Sequence, residues 1–345
     1  MTTMSDVGEK AFLRSLLPSL HVSPAFVNGF GHDASVVDVG LEHDIAVKID
    51  RAPFPVALHR GIGDYGTWGR LAVAANVSDL LAVGATPRSM VLSLVLPPSF
   101  NVADAEAIVL GCQEGCEDHG LAFVGGDTKE GVAPQVIGAA WGTVEKGASF
   151  GRAPAVAGDS LYLAGRLGAF SGVLELMKLR ESSAGYPSEW IDILVRPRAR
   201  VREGRALRES RRIAAACDLS DGLAEALRIF CAAGAGITLT QEALPMHELA
   251  AEAAGRLDIP LWRFAFGVGD WTIACVVRES DRAVFQDTLG DGLELFEVGR
   301  FDGTGLVRIQ DAHGSKHEVP KVINEHFRRR LEDDGLYLSE LLERR

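Results

Sequence analysis

Carboxylates follow short apolar stretches of this chain at five places, beside small or polar residues. The five places are Gly31-His32-Asp33, Lys48-Ile49-Asp50, Asn76-Val77-Ser78-Asp79, Gly125-Gly126-Asp127-Thr128 and Asp218-Leu219-Ser220-Asp221-Gly222. An unpaired charge at the end of a buried run is unfavourable, and converging aspartates would also repel one another. Bound divalent cations would compensate both effects, because Mg²⁺ is usually held by carboxylates, water and substrate phosphates. The pattern therefore predicts a site for Mg²⁺ and a nucleotide.

Two of these motifs could act in more than one way. In the Gly-Gly-Asp motif at 125–127, the glycines would let backbone N–H groups approach an anion while the aspartate reaches a cation. The same residue types also form ordinary turns. In the motif at 218–222, strand alternation places Asp218 and Ser220 on one side and Asp221 at the entry of a helix. Ser220 or Asp221 could also cap that helix, and a capping residue can bind a metal as well.

A glycine-rich turn at 165–172 joins a predicted strand to a predicted helix. Free N–H groups at the start of that helix could hold a phosphate, and a plain tight turn is the alternative. The turn lacks the G-K-[ST] element of a P-loop and the G-x-G-x-x-G spacing of a dinucleotide site. The chain also lacks a G-x-S-x-G motif, so no covalent intermediate is predicted. Positioning and electrostatics remain, and these are the main means of catalysing phosphoryl transfer.

Composition limits the partners and the compartment. With 47% hydrophobic and 24% charged residues, the chain is of ordinary globular type. The net charge of −12 argues against nucleic acid, and no apolar run reaches the roughly 18 residues of a membrane span. The first residues lack a signal-peptide pattern, and five cysteines without C-x-x-C predict a reducing cytoplasm. Cys112, Cys116 and His119 could share a helix face, either packed inside or as three ligands of a metal.

Hydrophobic periodicity predicts an α/β fold in two regions. The first region should contain strands at 35–39, 45–49, 90–96, 121–125 and 136–144, and helices at 65–83 and 103–119. The segment 147–158 is small and rich in Gly, Ala and Pro, which places a domain boundary there and gives domains 1–150 and 151–345. The second region should contain strands at 161–164, 214–219, 237–239, 272–277 and 293–298, and helices at 172–179 and 223–233.

Three collinear motifs resemble one known family. The stretch from Leu71 to Arg88, then Gly-Gly-Asp-Thr at 125–128, then Asp-Leu-Ser-Asp-Gly-Leu at 218–223 resemble the thiamine-monophosphate kinase family of the aminoimidazole ribonucleotide (AIR) synthetase superfamily. The resemblance runs from about Gly31 to Phe327. It implies a two-domain AIR synthase-like architecture, with an N-terminal sheet that joins its partner in a barrel shared by a homodimer and a C-terminal α/β sandwich domain. In a monomer, the apolar strand at 90–96 would otherwise be exposed at an edge.

The resemblance also implies cofactors and site residues. ATP would lie in the N-terminal cleft with Mg²⁺ at its phosphates, and a small molecule would be the acceptor. The implied metal ligands are Asp33, Asp50, Asp79, Asp127, Asp218 and Asp221. The implied contacts of the nucleotide are Gly126, Asp127, Arg152 and Ser220, with Asp127 and Asp221 at the catalytic centre.

The chain departs from the family at several positions. It has His32 in place of an acid, and Lys48-Ile49 in place of two threonines, so that Lys48 could supply part of one metal's charge and contact the cofactor. Phe54 begins a segment where the family has a substrate histidine. The segment 267–273 lacks the family's first glutamate, and Asn324 replaces an aromatic residue. The metal carboxylates persist while the positions facing the substrate have changed.

The predicted function is an ATP- and Mg²⁺-dependent kinase that phosphorylates thiamine monophosphate or a related metabolite. One alternative is ATP-dependent amide activation and ring closure, as in other branches of the superfamily. The N-terminal reactive cysteine or C-terminal cysteine tail of those branches is missing, since the first cysteine is Cys112. Another alternative is a nucleotide-binding paralogue without turnover, which Lys48-Ile49 would favour.

Overall fold

Two β-sheets organise the part of the chain that the structure, a computed structural model, describes: residues 2–180, 185–320 and 327. A five-stranded sheet lies within residues 35–145, and a seven-stranded sheet lies within residues 160–318. None of the helices in the described ranges combines the length and the apolar composition that a bilayer-spanning segment needs.

The first sheet has the strand order β1-β2-β5-β3-β4, and helices pack against one of its faces. Its strands are β1 (Ser35–Val37), β2 (His43–Ala52), β3 (Thr86–Leu96), β4 (Ala122–Glu130) and β5 (Gln135–Glu145). The helices of this region are α1 (Met4–Val7), α2 (Glu9–Leu16), α3 (Val56–His59), α4 (Gly66–Leu81) and α5 (Val102–His119). Strands β3 and β4 run parallel, and the other neighbours pair antiparallel.

The second sheet has the order β12-β11-β8-β10-β6-β9-β7. Its strands are β6 (Ser160–Ala164), β7 (Ile213–Asp218), β8 (Gly236–Thr240), β9 (Ile273–Val277), β10 (Leu295–Asp302), β11 (Val307–Gln310) and β12 (Lys316–Glu318). The helices of this region are α6 (Ala169–Lys178), α7 (Ser188–Val195), α8 (Val201–Ser210), α9 (Leu223–Phe230), α10 (Glu248–Leu257) and α11 (Arg282–Thr288).

Helix α4 is the central element of the fold. Of its 16 residues, all but Arg70 and Leu71 are buried, because it touches strands β2 and β5, helices α5 and α8, and strand β7 of the second sheet. A helix that is enclosed on all sides needs small or apolar residues around its whole circumference. The few polar side chains of α4, Asn76, Ser78 and Asp79 among them, therefore lie inside the protein.

The two regions share a hydrophobic core. One cluster joins Val73 and Leu80 of α4 with Tyr162, Cys275 and Phe285 of the second region. The other face of the second sheet packs on helices of its own region. Because the core is continuous, residues from both regions can meet where their elements join.

The predicted strands and helices all have counterparts, with ends shifted by a few residues. The prediction missed α1, α2, α3, α7, α8, α10 and α11 and the short strands β11 and β12. Helix α8 shows why, since its Arg- and Glu-rich sequence buries few side chains, among them Leu207. The expected edge position of the strand at 90–96 is wrong. Strand β3 lies between β5 and β4, and its outward face is exposed instead.

Glycines allow α4 and α5 to cross at backbone contact. A Cβ atom on Gly69 would lie 2.0 Å from the carbonyl oxygen of Ile108, and one on Gly111 would lie 2.1 Å from the carbonyl oxygen of Gly66. Backbone atoms cannot turn away as a flexible side chain can. This crossing fixes the rotation of α4 and hence the direction of its polar side chains.

We expect Gly69→Ala to lower the free energy of unfolding by about 3 kcal/mol, the upper end of the usual range for overpacking. Gly255→Ala is the matched control, because a Cβ there meets nothing within 4 Å on helix α10. That variant should raise stability by about 0.5–1 kcal/mol through helix propensity. Urea denaturation followed by circular dichroism measures both. Equal midpoints for the two variants would show that the crossing is not tight.

Candidate functional site

Three of the predicted aspartates meet in the interior where the two regions join. Asp33 precedes β1, Asp79 lies on α4 and Asp218 ends β7, and they are only 3%, 5% and 3% exposed. One ligand atom each from Asp33, Asp218 and Cys217 lies within 4.8 Å of the others. These three aspartates are called the buried acidic cluster below.

Two cations hold the cluster together. The Nη2 of Arg152 lies 2.6 Å from Oδ1 of Asp33, and its Nε lies 3.1 Å from the same oxygen. The Nζ of Lys48 lies 2.8 Å from Oδ2 of Asp79. The hydroxyl of Ser220 donates to Oδ1 of Asp218 at 3.0 Å. The two side chains lie on one side as expected, but Ser220 is in the turn after β7 and not in the strand.

Two buried oxygens of the acidic cluster and two of helix α4 have no hydrogen-bond partner within the described ranges. They are Oδ2 of Asp33, Oδ2 of Asp218, Oδ1 of Asn76 and Oγ of Ser78. Native proteins rarely leave such atoms unsatisfied, so each one needs an explanation. Hard cations such as Mg²⁺ take oxygen ligands, whereas the thiol of Cys217 suits softer metals. The donor set therefore fits Mg²⁺ at the two carboxylate oxygens.

The electrostatics of the site agree with a need for cations. Burial, followed by the charge of Asp33, raises the pKa of Asp218 to about 7. Burial and the charge of Asp218 hold the pKa of Asp79 well above its usual value. Burial opposes the charge of Lys48, but Asp79, Asp50 and Asp218 outweigh it and raise the pKa of this lysine. The acids are thus short of positive charge, and Lys48 is firmly protonated.

His32 orients Arg152. The Nδ1 of His32 accepts the backbone N–H of Arg152 at 3.0 Å, and burial lowers the pKa of His32, which keeps the ring neutral and able to accept. A Cβ atom on the preceding Gly151 would lie 2.4 Å from this nitrogen. Sequence reasoning noted His32 only as a lost acid. Its position next to Asp33 was the available signal.

The remaining predicted residues lie around this cluster in different ways. Asp50 shares a face of β2 with Lys48 and acts on its charge. Asp221 stands in the turn before α9, where Gly222 is the N-terminal cap, and its charge acts on Cys217. Sequence reasoning did not place Cys217 beside these acids, although it directly precedes Asp218 in the sequence.

Asp127 and Gly126 are placed differently from the other predicted residues. The side chain of Asp127 is 62% exposed, and its Oδ1 lies 3.7 Å from Nζ of Lys129. Gly126 forms part of an irregularity between β3 and β4, where a Cβ would lie 1.8 Å from the carbonyl oxygen of Leu92. The structure leaves Asp127 exposed at the surface of β4 rather than buried with the other acids.

Two alternative sites have structural explanations. At the start of α6, the carboxylate of Asp270 accepts the N–H groups of Gly168 at 2.6 Å and Phe170 at 3.0 Å. It occupies the position that a phosphate would need. His119 accepts the N–H of Ala199 at 2.9 Å through Nε2, while its Nδ1 lies 2.7 Å from the carbonyl oxygen of Gly115. That ring is a buried packing element of α5.

Comparison with known proteins agrees with this fold. Residues 31–144 match the family described as AIR synthase related protein, N-terminal domain. The match assigns residues 31–144, which carry the first sheet, to that domain family. A solved structure titled AaThiL complexed with AMPPCP and TMP superposes with a TM-score of 0.77 over 94% of this chain and 99% of that one, at 23% identity, and supports the fold.

Sequence relatives narrow the class. The chain is 30% identical to the thiamine-monophosphate kinase of Bacillus subtilis (strain 168) over 244 residues, which cover 68% of this chain and 74% of the relative. It is 28% identical to the enzyme of the same name from Salmonella typhimurium over 294 residues, or 82% of this chain and 87% of the relative. The chain therefore belongs to the thiamine-monophosphate kinase family.

Proposed function

We propose that the buried acidic cluster binds Mg²⁺ and ATP, and that the chain is an ATP-dependent phosphotransferase acting on a small molecule. The observation that carries this proposal is the pair of buried carboxylate oxygens without a partner, Oδ2 of Asp33 and Oδ2 of Asp218, in a member of a kinase family. Carboxylates flanked by fixed cations are suited to hold a metal together with an anionic phosphate chain.

The residues of the site have separate proposed roles. Asp33 and Asp218 would hold Mg²⁺, which would neutralise charge that develops on the transferred phosphoryl group. Arg152 has further guanidinium N–H groups beyond those bound to Asp33 and can donate them to a phosphate. Ser220 and Lys48 border the same space. Asp50, Asp79 and Asp221 are further candidate ligands.

For Asp127 and Gly126, we propose a role in binding the metal or the nucleotide on the basis of the family motif. In this role the exposed carboxylate of Asp127 would reach a metal or nucleotide from the rim of the site, next to the backbone N–H of Gly126. Asp127 and Asp221 are the proposed catalytic acids.

We expect Asp33→Asn and Asp218→Asn to weaken Mg²⁺-dependent ATP binding at least tenfold, equivalent to about 1.4 kcal/mol, because each removes a charged ligand. Asp127→Asn and Asp221→Asn should also weaken it severely, because each removes a proposed metal ligand. Asp44→Asn is the matched control, since Asp44 is a buried carboxylate on β2 of the first sheet that already pairs with Lys146. Calorimetry with MgATP measures the affinities. Unchanged affinity in both Asp33 and Asp218 variants would refute the metal assignment.

The acceptor is thiamine monophosphate or a related metabolite. Thiamine-monophosphate kinase is the printed name of the relatives, but this chain differs where the family contacts its substrate. Phe54 begins the segment where the family has a histidine, and it packs edge-on against His59 and Trp68, with ring centroids 4.6 and 5.0 Å away. Gly269 stands in place of the missing glutamate. Asn324, the third changed position, lies outside the described residues.

We expect kcat/KM for thiamine monophosphate below about 10⁴ M⁻¹s⁻¹, the lower end of the usual enzyme range. The reason is that a site built to hydrogen-bond its substrate loses about 10⁴-fold or more when those contacts are missing. Steady-state assay of product formation tests this, with MgATP binding measured on the same preparation as the control. A value inside the usual range would make thiamine monophosphate the acceptor. Retained MgATP binding without any transfer would favour the paralogue that lacks turnover.

We also propose that the first sheet forms the dimer interface within an ATP- and Mg²⁺-binding domain of residues 1–150, followed by a C-terminal α/β domain of residues 151–345. The outward face of this sheet carries exposed apolar side chains that are neighbours across strands. Val47 is paired with Trp141, and Ile49 is linked through Ala139 to Val91. A contiguous apolar patch of this kind marks an interaction surface, and a second copy could bury it as a shared barrel.

We expect the protein to be a dimer at micromolar concentration and Ile49→Glu to shift it to the monomer, because the variant would bury a charge in the interface. Val284→Glu is the control, an exposed apolar residue on α11 that should leave the mass unchanged. Light scattering coupled to size exclusion measures the mass. A stable monomer of the unmodified protein would rule out the barrel.

The location is proposed from the thiols. All five cysteines of the chain are free in the structure, and four of them are buried. This supports a reducing compartment, and we propose the cytoplasm.

A further inference from the structure

Lys48 is placed inside the acidic site by the alternation of β2. Ala46, Lys48, Asp50 and Ala52 point to the face of the sheet that packs on α4, while Val47 and Ile49 point outward. The lysine side chain is 23% exposed, and that of its partner Asp79 is 7% exposed. A lysine in this position cannot swing into solvent without leaving a buried carboxylate unpaired.

The site divides into two ends with different partners. At one end, Oδ2 of Asp33 and Oδ2 of Asp218 are buried and without a hydrogen-bond partner in the described residues. At the other end, Oδ2 of Asp79 is bound to the ammonium of Lys48 at 2.8 Å. The first end presents oxygens to a cation, and the second already holds one.

An ammonium group and a divalent cation compete for the same carboxylate. Both need its lone pairs, and the two positive charges repel each other at contact distance. The charges of Asp50 and Asp218 also favour the protonated form of Lys48, although its ion pair is with Asp79. A metal could bind Oδ2 of Asp79 only by displacing the lysine, and a metal at the other oxygen of this carboxylate would lie close enough to be repelled by the ammonium.

We propose that Lys48 is a built-in cation that replaces one divalent ion at the Asp79 end, so that the nucleotide complex holds one metal ion fewer than it would with a neutral residue at position 48. This inference rests on the proposed binding of Mg²⁺ and ATP and refines it. Asp79, a candidate ligand in the proposed function, is then a partner of Lys48 and is removed from the set of metal ligands. The compact, strongly hydrated ammonium can also donate to a phosphate oxygen, as a metal-bound water would.

The test counts the metal ions. Mn²⁺ replaces Mg²⁺ as the probe, a non-hydrolysable ATP analogue is added, and electron paramagnetic resonance of free Mn²⁺ gives the number of ions bound per chain. We expect Lys48→Thr to bind one more Mn²⁺ than the unmodified protein, and Lys48→Arg, which keeps the charge, to bind the same number. Lys146→Met is the matched control and should leave the number of bound ions unchanged. Lys146 pairs with Asp38 and Asp44 at the far end of the sheet, away from the site.

A second variant covers the case in which Lys48→Thr does not fold. Asp79→Asn removes the carboxylate for which the lysine and a metal would compete. We expect its Mn²⁺ count to equal that of the unmodified protein, because no metal uses Asp79 there. Loss of one ion in this variant would overturn the proposal.

The possible outcomes distinguish failure of the Lys48 proposal from failure of the proposed MgATP site. Equal counts for Lys48→Thr and the unmodified protein, with both folded by circular dichroism, would overturn the replacement of a metal by Lys48. An unmodified protein that binds no Mn²⁺ with the nucleotide analogue would overturn the proposed MgATP site itself, and the inference with it.

Discussion

Burial of three carboxylates at one point is the constraint on which this structure depends. Asp33, Asp79 and Asp218 come from three separate elements, and none has enough contact with water to stabilise its charge. Such a cluster persists only when cations are built in or bound. Arg152 and Lys48 supply part of that charge, and the oxygens that they leave unsatisfied are where chemistry with a metal and phosphates can occur.

The fold brings these acids together through the shared core. Helix α4 is enclosed by both regions, so its polar residues face the junction, and β7 of the second sheet delivers Asp218 to the same place. In a protein with two separate cores, Asp79 of the first region and Asp218 of the second would lie on different bodies. Here the close crossing of α4 with α5 fixes the position of Asp79, and the pairing of strand β7 with β9 fixes that of Asp218.

Much of this arrangement can be read from the sequence, because acids that end apolar runs have few structural explanations. The three buried acids, the common side of Ser220 and Asp218 and the main elements were predicted. The exposed position of Asp127 was not, since a Gly-Gly-Asp motif does not reveal which way a bulged strand turns its next side chain. His32 was also missed, because its partner is a backbone N–H that lies 120 residues away in the chain.

The contact between His32 and Arg152 bears on conformational entropy. The histidine fixes the backbone at Arg152, and Asp33 fixes the guanidinium, so this long side chain is ordered before any anion arrives. Ordering a flexible side chain at a binding site usually costs about 0.5–1.5 kcal/mol, which an arginine already held in place does not lose again on binding. The presence of His32 where the family has an acid therefore removes one negative charge from the site and orders an arginine that can bind an anion.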